Sequence, residues 1–233
     1  MGHDFSSFPM EKSMNKPNIL IVGGTSGLGL ELAKKLSKDN HVIIVGRREP
    51  KFPGLDFIHR DLSHGVPGAS NLIELIKEPI ELYVFASGFF QEGTMSQLSD
   101  SDIMGMLHVG LTAPVTILNR ILKNQKSLPG FIAITSTSQW TPRLLEPVYT
   151  AVKGGLGMFA NSVSLDPAIG KTLLAAPAGM RTPFWEKDGR DTSDMLDPVW
   201  VAEQILSLYN DEFKFTHARI MRGPARVELV EKR

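Results

Sequence analysis

Asn18-Ile19-Leu20-Ile21-Val22 runs without a charged residue straight into Gly23-Gly24-Thr25-Ser26-Gly27-Leu28-Gly29. A short β-branched apolar run that ends in glycine suits a strand buried on both faces. Behind the glycines Leu28, Leu32 and Leu36 recur at every fourth position beside Ala33, which predicts a helix over 27–37 with one apolar face. Strand, glycine turn and helix in that order open a βα unit.

The same alternation continues along the chain. Apolar runs at 42–45, 56–59, 82–86, 131–135, 172–176 and 218–221 predict six more strands. Helices are predicted between them: a short one over 72–76 closed by Pro79, a long one over 99–126, and another over 148–163. Ser99 or Asp100 would cap the long helix, and Pro114 would kink it. Asp197-Pro198 opens a last helix with an N-cap and a proline in its first turn. The stretch 183–196 is irregular and polar with an aromatic start, longer than an ordinary connection, as lids often are. Strands that alternate with helices imply right-handed βαβ crossovers and one mostly parallel sheet. The fold class is therefore α/β: a single doubly wound domain over 17–233, with about seven strands and helices on both faces. Residues 1–16 read as a polar tail or a cloning remnant, with Met10 and Met14 as alternative starts.

Bulk composition narrows the function classes. The 233 residues carry 25 basic and 25 acidic side chains, so a general nucleic-acid binder or a membrane-surface protein is not expected. With no cysteine, disulfides, thiolate catalysis and cysteine-ligated zinc are excluded. The six histidines lack metal-ligand spacing, and no metal is expected. No uninterrupted apolar run approaches the length of a membrane span, and 1–18 lacks the apolar core of a signal peptide. The expectation is a soluble, cytoplasmic protein without membrane or nucleic-acid partners.

The glycine turn has the parts of a dinucleotide site. Such a site needs a tight turn, a backbone bare enough for pyrophosphate to approach, and a helix N-terminus aimed at the anion. Gly23, Gly27 and Gly29, with Thr25, Ser26 and Leu28 between them, supply these at G-x-x-x-G-x-G spacing. The second strand ends in Gly46-Arg47-Arg48. An acidic residue there would hold the ribose 2′-hydroxyl of NAD, whereas arginine accommodates the 2′-phosphate of NADP. NADP(H) is the expected cofactor.

Further on, Tyr149 and Lys153 stand four apart on a predicted helix and share a face. An ammonium beside a phenol favours the phenolate and lowers its pKa, as general acid/base work near neutral pH requires. Ser136, thirteen residues earlier, sits where a strand ends, placed to hydrogen-bond a substrate oxygen.

Taken in order, these motifs resemble the short-chain dehydrogenase/reductase family, in its short single-domain, NADP-preferring branch. The likeness spans 18–222 and includes Asp61-Leu62 after the third strand and Pro177-Ala178-Gly179-Met180-Arg181-Thr182 after the sixth. The resemblance implies that Ser26 and Arg47, with Arg48, face the 2′-phosphate, and that Asp61 and Leu62 flank the adenine. It puts Ala86, Ser87 and Gly88 near the adenosine ribose, and Leu28, Pro177, Gly179, Met180 and Thr182 at the nicotinamide end. Tyr149 would be the general acid/base, Ser136 would orient the substrate oxygen, and Lys153 would hold the nicotinamide ribose and depress the tyrosine pKa. A small-molecule carbonyl or alcohol is the implied substrate, and a homodimer or homotetramer built on the two long central helices the implied assembly.

The chain departs from the family pattern at four places. Val22 replaces a threonine, Phe85-Ala86-Ser87-Gly88 replaces Asn-Asn-Ala-Gly, and Ala178 replaces a glycine. Gly110 stands where an asparagine usually positions a water in the proton relay to the lysine. A second water could fill that space; His108, two residues away, is a less apt substitute. An alternative reading follows from these losses: an NADP(H)-binding sensor or scaffold with weak or no turnover. Arg143 and Arg181 flank the expected pocket as candidate anion contacts. Trp140, Phe90, Phe184 and Trp185 would line it with aromatic surface. The run 188–191 reads as a solvated loop.

Overall fold

The computed structural model describes residues 16–189 and 191–233. The expected N-terminal tail falls, but for Lys16, outside the described residues, and so does Arg190 of the expected solvated loop.

Eight strands form one sheet: β1 (Asn18–Val22), β2 (His41–Gly46), β3 (Asp56–His59), β4 (Ile80–Phe85), β5 (Leu128–Ile134), β6 (Ile169–Pro177), β7 (Phe215–Met221) and β8 (Arg226–Lys232). Their spatial order is β3-β2-β1-β4-β5-β6-β7-β8. Every pair is parallel except β7 with β8. The chain leaves β1 in one direction to build β2 and β3, then returns to the other side of β1 with β4. Between β1 and β4, at their C-terminal ends, the strand order reverses. That is where ligands bind in open α/β sheets.

The alternation within each strand explains the two buried faces. Leu20 and Val22 of β1 join Tyr83, Phe85, Phe131 and Leu174 in one core. Ile19 and Ile21 join Ile44, Val84, Ile132 and Leu173 in the other. The first core is covered by α4 (Ala113–Gln125) and α5 (Pro147–Val163), through Ala113, Ile117, Ile121, Leu156 and Ala160. The second is covered by α1 (Gly27–Leu36) and α6 (Pro198–Asn210), through Leu28, Leu32, Val201, Ala202 and Ile205. Leu32 and Ile205 are fully buried, and each such side chain contributes about 1.5–3 kcal/mol relative to exposure.

Several expectations are revised. The helix predicted over 72–76 is instead a one-turn 3₁₀ segment, Ile73–Leu75, after a short helix α2 (Val66–Ser70) that begins beside Pro67. The long central helix is divided: α3 (Asp100–Leu107), a π-helical turn at His108–Thr112, then α4. Proline at 114 has no N–H for the carbonyl four residues back, and the widened turn before it lets the helix continue without that bond. Ser99 is the cap, with a reciprocal Ser99–Asp102 capping box. The unit Asp100–Gln125 is long and apolar enough, with mean hydropathy 1.3, to meet a membrane-span test by composition. Part of its apolar surface is spent on the protein's own core: Ala113, Ile117 and Ile121 pack in the core on the sheet and Met106 against Val148 and Val152. The eighth strand was not foreseen. In β8 the apolar and charged residues Arg226-Val227-Glu228-Leu229-Val230-Glu231-Lys232 intermingle, and only pairing with β7 gives it a register.

Candidate active site

A cleft of about 670 Å³ opens at the point of strand reversal. Its floor is the glycine turn. Gly23 has φ +89°, and a Cβ there would lie 2.5 Å from the Ser87 backbone nitrogen, so the β1 and β4 turns touch backbone to backbone. A Cβ on Gly29 would lie 2.1 Å from the Gly23 carbonyl oxygen. Ser26 starts α1 without a side-chain cap, and the helix has no acidic residue in its first turn. Its first N–H groups therefore face the cleft as an anion-binding end. Arg47, exposed at the end of β2, adds a positive charge on the same wall. Bare backbone, an uncapped helix end and a guanidinium together fit a dinucleotide carrying a further phosphate.

Nearly every residue picked out in the sequence lines this cleft. Gly23, Thr25, Ser26, Gly27, Leu28, Gly29, Arg47, Asp61 and Leu62 do so on the nucleotide side. Ala86, Ser87, Gly88, Ser136, Tyr149, Lys153, Pro177, Gly179, Met180 and Thr182 do so toward the other end. Arg48 does not, whereas Arg60 does. Asp61 caps a turn by accepting from the Ser63 N–H at 2.9 Å. Burial works to raise its pKa, but the Ser63 hydrogen bonds and the charges of Arg47 and His64 outweigh it and hold the carboxyl below its usual range.

Ser136, Tyr149 and Lys153 converge on one end of the cleft. Ser136 follows β5 in extended conformation and begins a 3₁₀ turn, its Oγ accepting from the Ser138 N–H at 3.1 Å. Tyr149 lies in the first turn of α5, which starts at Pro147, and Ser136 stands close enough to its phenol to favour the phenolate. Lys153 stands one turn on, 4% exposed, donating to the Ile134 carbonyl at 3.2 Å. Its Nζ is 5.7 Å from the centre of the Tyr149 ring.

The electrostatics run against the expected depression of the tyrosine pKa. Burial raises the phenol well above its ordinary value, and the Glu146 carboxylate raises it further; the Ser136 hydrogen bond and Arg143 only partly oppose them. Burial also lowers Lys153 from 10.5 to about 8. In the protein alone, the phenol is thus held protonated and the ammonium is held at a cost.

Gly110 has a tertiary explanation. A Cβ at this position would lie 2.3 Å from Val152 Cγ1. Val152 therefore leaves no room for a side chain at this position. His108 is engaged elsewhere: its Nδ1 pairs with the Ser63 carbonyl at 2.8 Å. Arg181 leaves the pocket to pair with Asp197 at 3.2 Å. Arg143 stays at the cleft, 3.7 Å from Glu146 Oε2.

Aromatic side chains roof the reacting end. Phe90 meets the Tyr149 ring edge-on at 5.1 Å and stacks on Phe184 at 5.9 Å, while Phe184 meets Trp185 at 5.0 Å. Trp140 also lines the cleft, with the Arg219 guanidinium 4.1 Å from its ring centre. The loop bearing Phe184 and Trp185 is tied at its base, where Leu196 N–H donates to the Gly179 carbonyl and Arg181 N–H to the Leu196 carbonyl, both at 2.9 Å.

Sequence reasoning missed Ser138 and Glu146. Glu146 lies one helical turn before Tyr149, a spacing that could have drawn attention to it. Ser138 carried no signal, because only the 3₁₀ turn aims it at Glu146.

Fold and cleft define a doubly wound α/β protein with its ligand site at the strand reversal. No protein-family model matches the chain. The 3-oxoacyl-[acyl-carrier-protein] reductase MabA of Mycobacterium avium is 25% identical over 152 residues, covering 63% of this chain and 60% of that protein. The uncharacterized oxidoreductase DltE of Bacillus subtilis is 27% identical over 164 residues, covering 63% of this chain and 64% of DltE. The match therefore spans less than two thirds of either relative. Among solved structures, a short-chain dehydrogenase/reductase from Vibrio parahaemolyticus superposes with TM-score 0.73 at 25% identity, over 86% of this chain and 98% of that one. A short-chain dehydrogenase from Sphingobium yanoikuyae in complex with NADPH gives 0.71 at 18% identity, over 83% and 84%; at that identity the likeness is one of fold. The proteins it is similar to are oxidoreductases of the short-chain dehydrogenase/reductase family, and the fold is theirs.

Proposed function

We propose that the protein is an NADP(H)-dependent oxidoreductase that interconverts a carbonyl and a secondary alcohol, with Tyr149 as general acid/base. The observation that carries this reading is the convergence of Ser136, Tyr149 and Lys153 on the cleft that the glycine turn and Arg47 also line. The NADPH held by the Sphingobium relative supports the cofactor assignment.

The glycine turn and the first N–H groups of α1 would hold the pyrophosphate, Arg47 the 2′-phosphate, and Lys153 the ribose next to the nicotinamide. The cofactor would supply or accept the hydride. Ser136 orients the substrate oxygen by hydrogen bonding. Tyr149, kept protonated by burial and by Glu146, gives that oxygen its proton in the direction of reduction. A phenol poised as an acid favours reduction as the working direction. The aromatic roof of Phe90, Phe184 and Trp185 excludes water and suits a partly apolar small molecule. A cytoplasmic location and pairing as a homodimer or homotetramer through α4 and α5 belong to the same proposal. Met158 on α5, 66% exposed, is consistent with a covered helix face.

The test is Tyr149→Phe. NADPH oxidation with a panel of ketones and diketones is expected to stop, while NADPH binding by fluorescence titration stays near wild type. Retained turnover in the variant refutes the mechanism. One observation favours the sensor reading: Val152 leaves no room for a relay side chain at Gly110. Tight NADPH binding with no oxidation by any carbonyl would decide for the sensor.

A further inference from the structure

Val152 leaves no room for a side chain at Gly110, the usual relay position, so a second route for recharging the phenolate is worth seeking. One runs through Glu146, one helical turn before Tyr149, whereas Lys153 stands one turn after it. Ser136 and the phenol line the same end of the cleft, close enough for the serine to favour the phenolate. The Ser136 hydroxyl donates to Ser138 Oγ at 3.3 Å, and the Ser138 hydroxyl donates to Glu146 Oε2 at 2.9 Å. The Glu146 side chain is 12% exposed and lies 3.7 Å from Arg143, whose own side chain is 45% exposed. The series thus starts at the reacting phenol and ends at solvent. Every hydrogen bond in it joins groups that both donate and accept, save the carboxylate, which only accepts until it takes up a proton. The 3.3 Å step is long, and such contacts often tighten once substrate is bound.

We propose that Ser138 and Glu146 form the proton relay of this enzyme, with Glu146 as its exchange point with water. The proposal rests on the reading of Tyr149 as general acid. In reduction, the Tyr149 O–H bond breaks as the proton passes to the substrate oxygen. The phenolate then takes the proton of Ser136, Ser136 takes that of Ser138, and Ser138 takes one from protonated Glu146, which is refilled from solvent. One proton enters at Glu146 for each proton delivered, and each hydroxyl ends with the proton count it began with. Glu146 and Ser138 touch no substrate; they act through Ser136 and Tyr149. Burial keeps the resting phenol protonated, and the same carboxylate only adds to it.

A relay of this kind is needed only after the first turnover, because Tyr149 begins with its own proton. Ser138→Ala and Glu146→Gln should therefore oxidise one NADPH per site at the wild-type rate with a reactive aryl diketone. They should then settle to a steady state slowed about tenfold, short of the full 10²–10⁴ of a positioned acid. Acetate should restore the steady state of Glu146→Ala in proportion to its concentration. NADPH affinity, read by fluorescence titration, should stay within about twofold of wild type. If Tyr149→Phe is inactive while Ser138→Ala and Glu146→Gln keep the wild-type steady state, the relay fails and the tyrosine reading stands. Equal slowing of first and later turnovers, or a loss explained by weaker NADPH binding, overturns the relay in favour of a structural role. If Tyr149→Phe remains active, or the wild type oxidises NADPH with no carbonyl, the tyrosine reading itself falls and takes the relay with it.

Discussion

Lys153 should make the protein alone less stable at neutral pH than a variant without it. The residue is 4% exposed, and among the described residues its ammonium donates to the Ile134 carbonyl at 3.2 Å. Burial lowers its pKa from 10.5 to about 8. At about 1.36 kcal/mol per unit, that depression corresponds to roughly 3 kcal/mol of unfavourable charge burial below the folded pKa. The sign follows from proton binding. Between pH 8 and 10.5 the unfolded chain holds the lysine proton and the folded one has released it, so stability rises with pH across that window. Below the window the penalty is fully present; above it the group is neutral in both states and the penalty is gone. Lys153→Met keeps the length of the side chain and removes the charge, at the expense of one hydrogen bond of about 1 kcal/mol. Urea unfolding of both proteins without cofactor, from pH 7 to 10.5, is the assay. The variant should be more stable at pH 7 by about 2 kcal/mol, the charge penalty less that hydrogen bond. The difference between the two proteins should shrink and change sign as pH climbs through the window. Taking that difference removes Tyr149 and the other groups common to both. A difference that does not change with pH would refute the reasoning, as would a variant less stable at pH 7. A cofactor hydroxyl accepting from the ammonium would offset the penalty, and the buried charge is then a cost of keeping the site ready.

Two other perturbations test the geometry of the site. Gly110→Asn forces a Cβ to within 2.3 Å of Val152 Cγ1, and overpacking of this kind should cost about 1–3 kcal/mol in denaturant unfolding. Adding Val152→Ala should recover most of that loss, because the Val152 Cβ would stand 3.7 Å away, an ordinary contact; no recovery would show that Val152 is not what excludes the side chain. Arg47→Ala should weaken NADPH by about tenfold or more, since hydrogen bonds to charged groups contribute roughly 1.5–3 kcal/mol, and leave NADH almost unchanged. Equal losses for the two would remove the 2′-phosphate assignment.

Much of the site was legible in the sequence because its residues are bound to local structure. The glycines must stand where β1 turns into α1, and a Cβ on Gly23 or Gly29 would strike backbone. Tyr149 and Lys153 share a face because helix periodicity puts them there. Strand count and helix continuity were less legible. β8 depends on a partner strand, and the π-helical turn at His108–Thr112 on a proline whose effect could have been a kink.

By itself, the sequence determined the βα alternation, the glycine turn and the serine, tyrosine and lysine that face the cleft, since each follows from apolar period or from backbone sterics. What surrounds those groups was decided by tertiary structure alone. Val152 of the neighbouring helix leaves no room for a side chain at Gly110, Arg181 is drawn out of the pocket by Asp197, and Glu146 comes to Ser138 across the turn that joins β5 to α5. Charge and volume act through space, so the protonation of Tyr149 and Lys153 depends first on how deeply the fold buries them.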